Sequence, residues 1–237
     1  MIDEASSGIA AAAMVLNAET AVEARAGEQT KTERKTERSP NVRWQGSRLT
    51  RPRRWESLGH AGATVWFTGL PGAGKSTIAT AVEEHLVASA RPAFLLDGDN
   101  LRHGLNGDLG FDEAARCENV RRTAHVARLF AESGMIALVS LVSPYAADRA
   151  AAAVMHAAAD LHFIEVFVST PVEACEQRDP KGLYARARAG ELKDLTGVGA
   201  PYESPIEPDL VLRTCTESVQ AEVESVLEAL AVRGLHA

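Results

Sequence analysis

Nine residues, Gly69-Leu70-Pro71-Gly72-Ala73-Gly74-Lys75-Ser76-Thr77, satisfy the pattern GxxxxGK followed by Ser or Thr, and they leave few architectures open to the chain. Such a loop works only between a buried strand and a helix. Its glycines let backbone N–H groups turn inward on phosphates, and the helix N-terminus adds partial positive charge. Lys75 then reaches the β- and γ-phosphates of ATP, and Ser76 serves as a ligand to Mg²⁺. The flanks supply both elements: the apolar run Ala63–Thr68 precedes the loop, and Ile78, Val82 and Leu86 follow at helical spacing.

The same alternation continues along the chain. Apolar runs at Ala93–Asp97, Met135–Val142, His162–Val168 and Leu210–Leu212 are separated by helix faces such as Val120, Ala127 and Phe130, and later Val219, Val223, Val226 and Leu230. Continuous apolar strands are buried on both sides. The pattern therefore predicts an α/β fold, a three-layer sandwich with a parallel five-stranded sheet, and ligands seated beyond the carboxyl ends of the strands.

At 237 residues the chain has length for one catalytic domain, expected over 41–237. Residues 1–40 lack the large apolar side chains that offset ordering entropy, and read as a disordered tail. The basic residues that follow, among them Arg43, Arg48, Arg51, Arg53 and Arg54, read as a solvated segment. Glycine turns and prolines between Ala189 and Pro208 predict a mobile lid, with bounds at about 181–208.

A net charge of −7 argues against a general binder of nucleic acid or of membrane surfaces, which needs a basic field. The run Ile9–Leu16 is too short to span a bilayer and follows acidic Asp3 and Glu4, so no targeting or anchoring segment is expected. Cys117, Cys175 and Cys215 show neither disulfide nor zinc spacing, which fits a reducing cytoplasm.

The second run ends in Asp97-Gly98-Asp99-Asn100. Two carboxylates beside a phosphate loop can serve a metal-bound water and an acceptor hydroxyl that must lose its proton. The plainer alternative is a turn in which Asp99 caps a helix. The third run ends in Ser140 and Ser143 with no carboxylate, which favours a small-molecule kinase over a motor ATPase.

Six blocks in order resemble the adenylyl-sulfate kinases, a family with the P-loop kinase fold: ATVWFTGLPGAGKST from Ala63, LDGDNLRHGLNGDLGF from Leu96, ENVRRTAHVARLFAESG from Glu118, SPY with DR following from Ser143, FIEVFV from Phe163 and RDPKGLYARARAGELKDLTG from Arg178. The resemblance implies ATP-dependent phosphorylation of the 3′-hydroxyl of adenylyl sulfate to 3′-phosphoadenylyl sulfate, in sulfate activation. It implies that Arg102 and Arg116 hold the anionic groups, that Asn119 adds hydrogen bonding, and that Phe111 stacks on adenine. Val142, Ser143 and Leu195 complete the substrate site. Asp99 orients or deprotonates the hydroxyl, Asp97 supports Mg²⁺ through water, and Lys181 approaches the transferred phosphoryl group.

The family serine at Ser143 is sometimes described as a covalent phosphate acceptor; direct transfer needs no such intermediate. Arg121 and Arg122 are left open, and His85, His125, His156 and Cys117 carry no assigned role. Two positions depart from the family: Ala146 stands where Arg is usual, and Leu195 where Phe is usual. The expected consequence is weaker substrate binding with the chemistry preserved. The resemblance also implies a homodimer and a separate ATP sulfurylase as metabolic partner. Competing readings are a kinase for another small hydroxylated acceptor and a non-catalytic nucleotide-binding regulator.

Overall fold

Residues 41–235, apart from Trp44, are described by the computed structural model, and the reading of residues 1–40 as a tail lies outside them. The chain separates into two units at Thr50 and Arg51. In the larger unit, strands β1 (Ala63–Thr68), β2 (Ala93–Asp97), β3 (Ile136–Ser140), β4 (His162–Val168) and β5 (Leu210–Leu212) form one sheet in the order β2-β3-β1-β4-β5. Every neighbouring pair is parallel.

Period-two alternation along β1 explains the layers. Ala63, Val65 and Phe67 join one buried cluster with Ile78, Val82 and Leu86 of helix α2 (Lys75–Ala88) and Val223, Val226 and Leu230 of the C-terminal helix (Val219–Ala231). Trp66 faces the other way, with Val120, Ala124 and Ala127 of helix α4 (Glu113–Ser133) and Ala152 of helix α5 (Ala146–Ala157). Helices thus cover both faces of a sheet whose central strand is wholly buried, as the unbroken apolar run predicts. Truncating a residue such as Leu138, fully buried in β3, is expected to cost roughly 2–5 kcal/mol.

Local signals close the helices. The side chain of Asp112 caps α4 by accepting from the N–H of Ala115, and Gly134 ends that helix in the left-handed conformation. The short helix α3 (Gly98–Leu101) is capped by Asp97, whose carboxylate accepts from the N–H of Asp99. The cap is therefore two residues earlier than the reading that gave this role to Asp99, and it leaves the Asp99 carboxylate free of the cap.

Three expectations change. The third strand ends at Ser140, because the carbonyl of Val142 turns to the Thr68 hydroxyl at 2.8 Å and Ser143 takes a φ of +39°. Part of the basic segment is helical: α1 (Arg51–Leu58) is tied to α4 by Trp55 Nε1 donating to the Glu132 carbonyl at 3.3 Å, and Arg51 pairs with Asp160 at 3.0 Å. The lid expected at about 181–208 contains a helix, Leu183–Arg188, and its residues Leu195 and Thr196 are buried, so it is seated against the body.

Candidate active site

The loop after β1 is shaped by its neighbours. Gly69 has a φ of +151°, and a Cβ there would lie 2.7 Å from the Val168 carbonyl oxygen, so a side chain would push β1 and β4 apart. The carbonyl of Ala73 accepts from the hydroxyls of Thr170 at 2.9 Å and Thr214 at 3.0 Å and from Arg178 Nη1 at 3.3 Å. Tyr184 donates its hydroxyl to the Pro71 carbonyl at 2.9 Å. With its carbonyls held from outside, the loop leads into α2, whose first residue is Lys75.

Lys75 is almost fully buried, and its ammonium donates to the carbonyls of Gly69 at 2.9 Å and Leu70 at 2.8 Å. Burial lowers its pKa to about 8. A lysine folded onto its own loop, its charged form disfavoured by burial, suits phosphate oxygens that would stabilise that charge.

Beside it, the Ser76 hydroxyl donates to Asp97 Oδ2 at 2.6 Å and lies 3.0 Å from the Ser140 hydroxyl. Among the described residues no group of three or more His, Cys, Asp or Glu could cage a metal. Two hydroxyls and one carboxylate at the mouth of a phosphate loop suit a hard cation that keeps most of its waters and takes other ligands from phosphate; Mg²⁺ fits this oxygen set.

The opposite wall carries the residues expected to bind an acceptor. Asp99 pairs with Lys181 through Oδ2 and Nζ, both side chains being more than half exposed. Arg102 donates to the carbonyls of Leu109 at 2.9 Å and Gly110 at 3.2 Å, and its guanidinium sits 4.1 Å from the centre of the Phe111 ring. Arg116 donates to the Phe111 carbonyl at 2.7 Å, the Asp194 carbonyl at 2.7 Å and the Thr196 hydroxyl at 2.9 Å. Burial, and then the charge of Arg116, lower the pKa of Arg102. The charge of Asp99 opposes these effects, and two like charges held close suit an anionic ligand. Asn119 accepts from Asn106 Nδ2 at 2.8 Å in a buried pair. Asp99, Lys181, Arg102, Phe111, Arg116 and Asn119, with Lys75 and Leu195, line a cavity of about 930 Å³.

Ser143 also reaches this cavity, yet its hydroxyl is committed. It accepts from Trp66 Nε1 at 3.1 Å and donates to the Thr68 hydroxyl at 2.9 Å, and Thr68 in turn donates to the Val142 carbonyl. The side chain is buried.

Arg121 and Arg122, open in the sequence, bind Glu118 at 2.6 Å and 2.8 Å, and Arg122 also binds Asp108 at 2.6 Å. His156 is fully buried between the Thr64 hydroxyl and the Ala152 carbonyl, so it belongs to the core. Sequence reasoning missed Arg178 and Thr214, which fasten the phosphate loop from positions 36 residues apart. Arg178 opens one of the six matching blocks, but nothing in its spacing points to Ala73. Arg149, the Arg of the DR pair, was likewise passed over although it is buried in a web of hydrogen bonds.

Residues 61–213 match the family model described as Adenylylsulphate kinase. An adenylyl-sulfate kinase of Geotalea daltonii is 49% identical over 195 residues, covering 82% of this chain and 95% of the relative. One from Penicillium chrysogenum is 47% identical over 203 residues, covering 83% and 96%. Among solved structures, the Mycobacterium tuberculosis APS kinase CysC in complex with AMPPNP and APS is 51% identical with a TM-score of 0.71, covering 73% of this chain and 99% of that one.

Proposed function

The chain belongs to the adenylyl-sulfate kinase family, and from that premise we propose how its residues phosphorylate adenylyl sulfate. The observation that carries the reading is one cavity with anion-binding groups on two walls: the phosphate loop with Lys75 on one, and Arg102 with Arg116 on the other. Two nucleotides facing each other need this arrangement, and a kinase for a neutral acceptor has no use for the second set.

ATP lies along Gly69–Thr77, its β- and γ-phosphates on the loop N–H groups and Lys75. Ser76, and Asp97 through water, would hold Mg²⁺, which would supply positive charge to the phosphate oxygens during transfer. Adenylyl sulfate lies on the second wall, its anionic groups on Arg102 and Arg116 and its adenine on Phe111, with Asn119, Val142, Ser143 and Leu195 completing the site. Arg102 leaves the Phe111 ring, and Arg116 gives up the Asp194 carbonyl and the Thr196 hydroxyl, when that ligand arrives.

Asp99 accepts the proton of the 3′-hydroxyl as its oxygen forms a bond to the γ-phosphorus and the bond to ADP breaks. Lys181 turns from Asp99 to the transferred phosphoryl group and keeps the lid, 181–208, closed over it. Transfer is direct. The Ser143 hydroxyl has both its proton and an acceptor position engaged within the protein, which supports a role in shaping the site and not in covalent catalysis.

Incubation of the purified protein with ATP, Mg²⁺ and adenylyl sulfate, followed by mass spectrometry, should give ADP and 3′-phosphoadenylyl sulfate; an untouched adenylyl sulfate overturns the reading. Omitting Mg²⁺ should stop the reaction. The acceptor is a mixed anhydride of sulfate, and a functional link to a separate ATP sulfurylase as its source belongs to this reading. The family further supports a homodimer, which light scattering tests by mass.

A further inference from the structure

The buried arginine of α5 joins three segments that the chemistry otherwise leaves separate. Arg149 is 3% exposed. Its Nε donates to Glu165 Oε1 of β4 at 2.7 Å, its Nη1 to the Ser143 carbonyl at 2.7 Å, and its Nη2 to the Glu203 carbonyl at 2.7 Å. Glu203, near the C-terminal end of the lid segment, doubles the connection, since its N–H donates to the Pro144 carbonyl at 2.8 Å and its carboxylate accepts from the Ala146 N–H at 2.7 Å. The neighbouring Tyr202 hydroxyl meets Thr68 Oγ1 at 3.0 Å. Thr68 spends its one proton on the Val142 carbonyl, so Tyr202 is the donor.

We propose that Arg149 is a positioning residue for the acceptor nucleotide, clamping the lid end Tyr202–Glu203 onto the cavity rim Val142–Pro144 and so fixing the rim's shape. The inference rests on the reading that this rim contacts adenylyl sulfate. Its physical content is a fork: a guanidinium presents donors in fixed directions, so one side chain sets the distance between a strand, a rim and a lid end. The left-handed backbone at Ser143, unfavourable for a residue with a side chain, is what the fork holds in place, because its carbonyl is one of the three acceptors. The ammonium of a lysine at this position would have the charge without the directions. The phosphate loop takes its fastening from Thr170, Arg178 and Thr214 instead, so ATP binding is independent of the clamp.

The test varies each substrate separately for the full chain and for Tyr202→Phe, Arg149→Lys and Glu165→Gln, with melting temperatures recorded alongside. Tyr202→Phe removes a single hydroxyl and is chosen because it keeps the ring packed on Phe167. Its KM for adenylyl sulfate should rise about fivefold, the scale of one lost hydrogen bond, with the KM for ATP unmoved. Arg149→Lys should show the same split and a larger rise. If the melting temperatures fall while the KM for adenylyl sulfate stays put, or if both KM values rise together, Arg149 serves stability alone and the proposal is overturned. A wild-type chain inactive on adenylyl sulfate overturns the functional reading as well, whereas an active wild type with unmoved variants overturns only this inference.

Discussion

The two walls of the cavity are built differently. The donor wall is a continuous stretch of nine residues between β1 and α2, and its only buried cation, Lys75, rests on the carbonyls of that same stretch. The acceptor wall is gathered from α3, the Phe111 turn, α4, the rim after β3 and the lid, and its cations are occupied by protein oxygens from other segments. Phosphate binding on the first wall replaces local hydrogen bonds. On the proposed reading, acceptor binding on the second exchanges contacts that Arg116 makes to Asp194 and Thr196 and that Lys181 makes to Asp99.

The sharpest way to break this contrast is Asp99→Asn. It should lower kcat by roughly 10²–10⁴, the usual contribution of a general base, while calorimetry shows ATP still bound. Near wild-type turnover would move proton acceptance elsewhere. On the donor wall the test is pH. The free Lys75 has a pKa of about 8, and phosphates favour its charged form, so ATP binding should take up a proton above that pH and weaken by up to about tenfold per further unit. Titration calorimetry in two buffers of different ionisation enthalpy would detect the proton; binding indifferent to pH between 8 and 10 would remove Lys75 as the group responsible.

Smaller effects probe the acceptor wall. Leu195 is buried at the cavity edge, where the family usually has Phe. Leu195→Phe can extend its ring into the cavity and should lower the KM for adenylyl sulfate roughly two- to tenfold, the worth of one aromatic stack. An unchanged KM would end that account of the lid. Smallest is Ser143→Ala, whose kcat should stay within about fivefold of wild type, because the two hydrogen bonds lost, to Trp66 and Thr68, lie within the protein. A collapse of kcat would revive a seryl phosphate.

The strands and the phosphate loop were legible because their signals are local: an unbroken apolar run means burial on both faces, and GxxxxGK between such a run and a helix has one stable use. Asp97 and Asp99 were visible as a pair, but not which would cap α3, since either carboxylate can reach a backbone N–H and the turn decides. The positions of Arg102 and Arg116 came from the resemblance; their grip on the carbonyls of Leu109, Gly110, Phe111 and Asp194 did not, because backbone acceptors leave no mark in a sequence.

By itself, then, the order of residues determined the layered sheet, the nucleotide cradle and the family, all of which rest on periodicity or on contiguous motifs. Only the tertiary structure decided that Ser143 is enclosed by Trp66 and Thr68, that Arg178 and Thr214 secure Ala73, and that Arg149 ties the lid end to the rim. Those contacts join positions up to 141 residues apart, and the hydrogen bonds that make them depend on ångström distances that no pattern of residue types encodes.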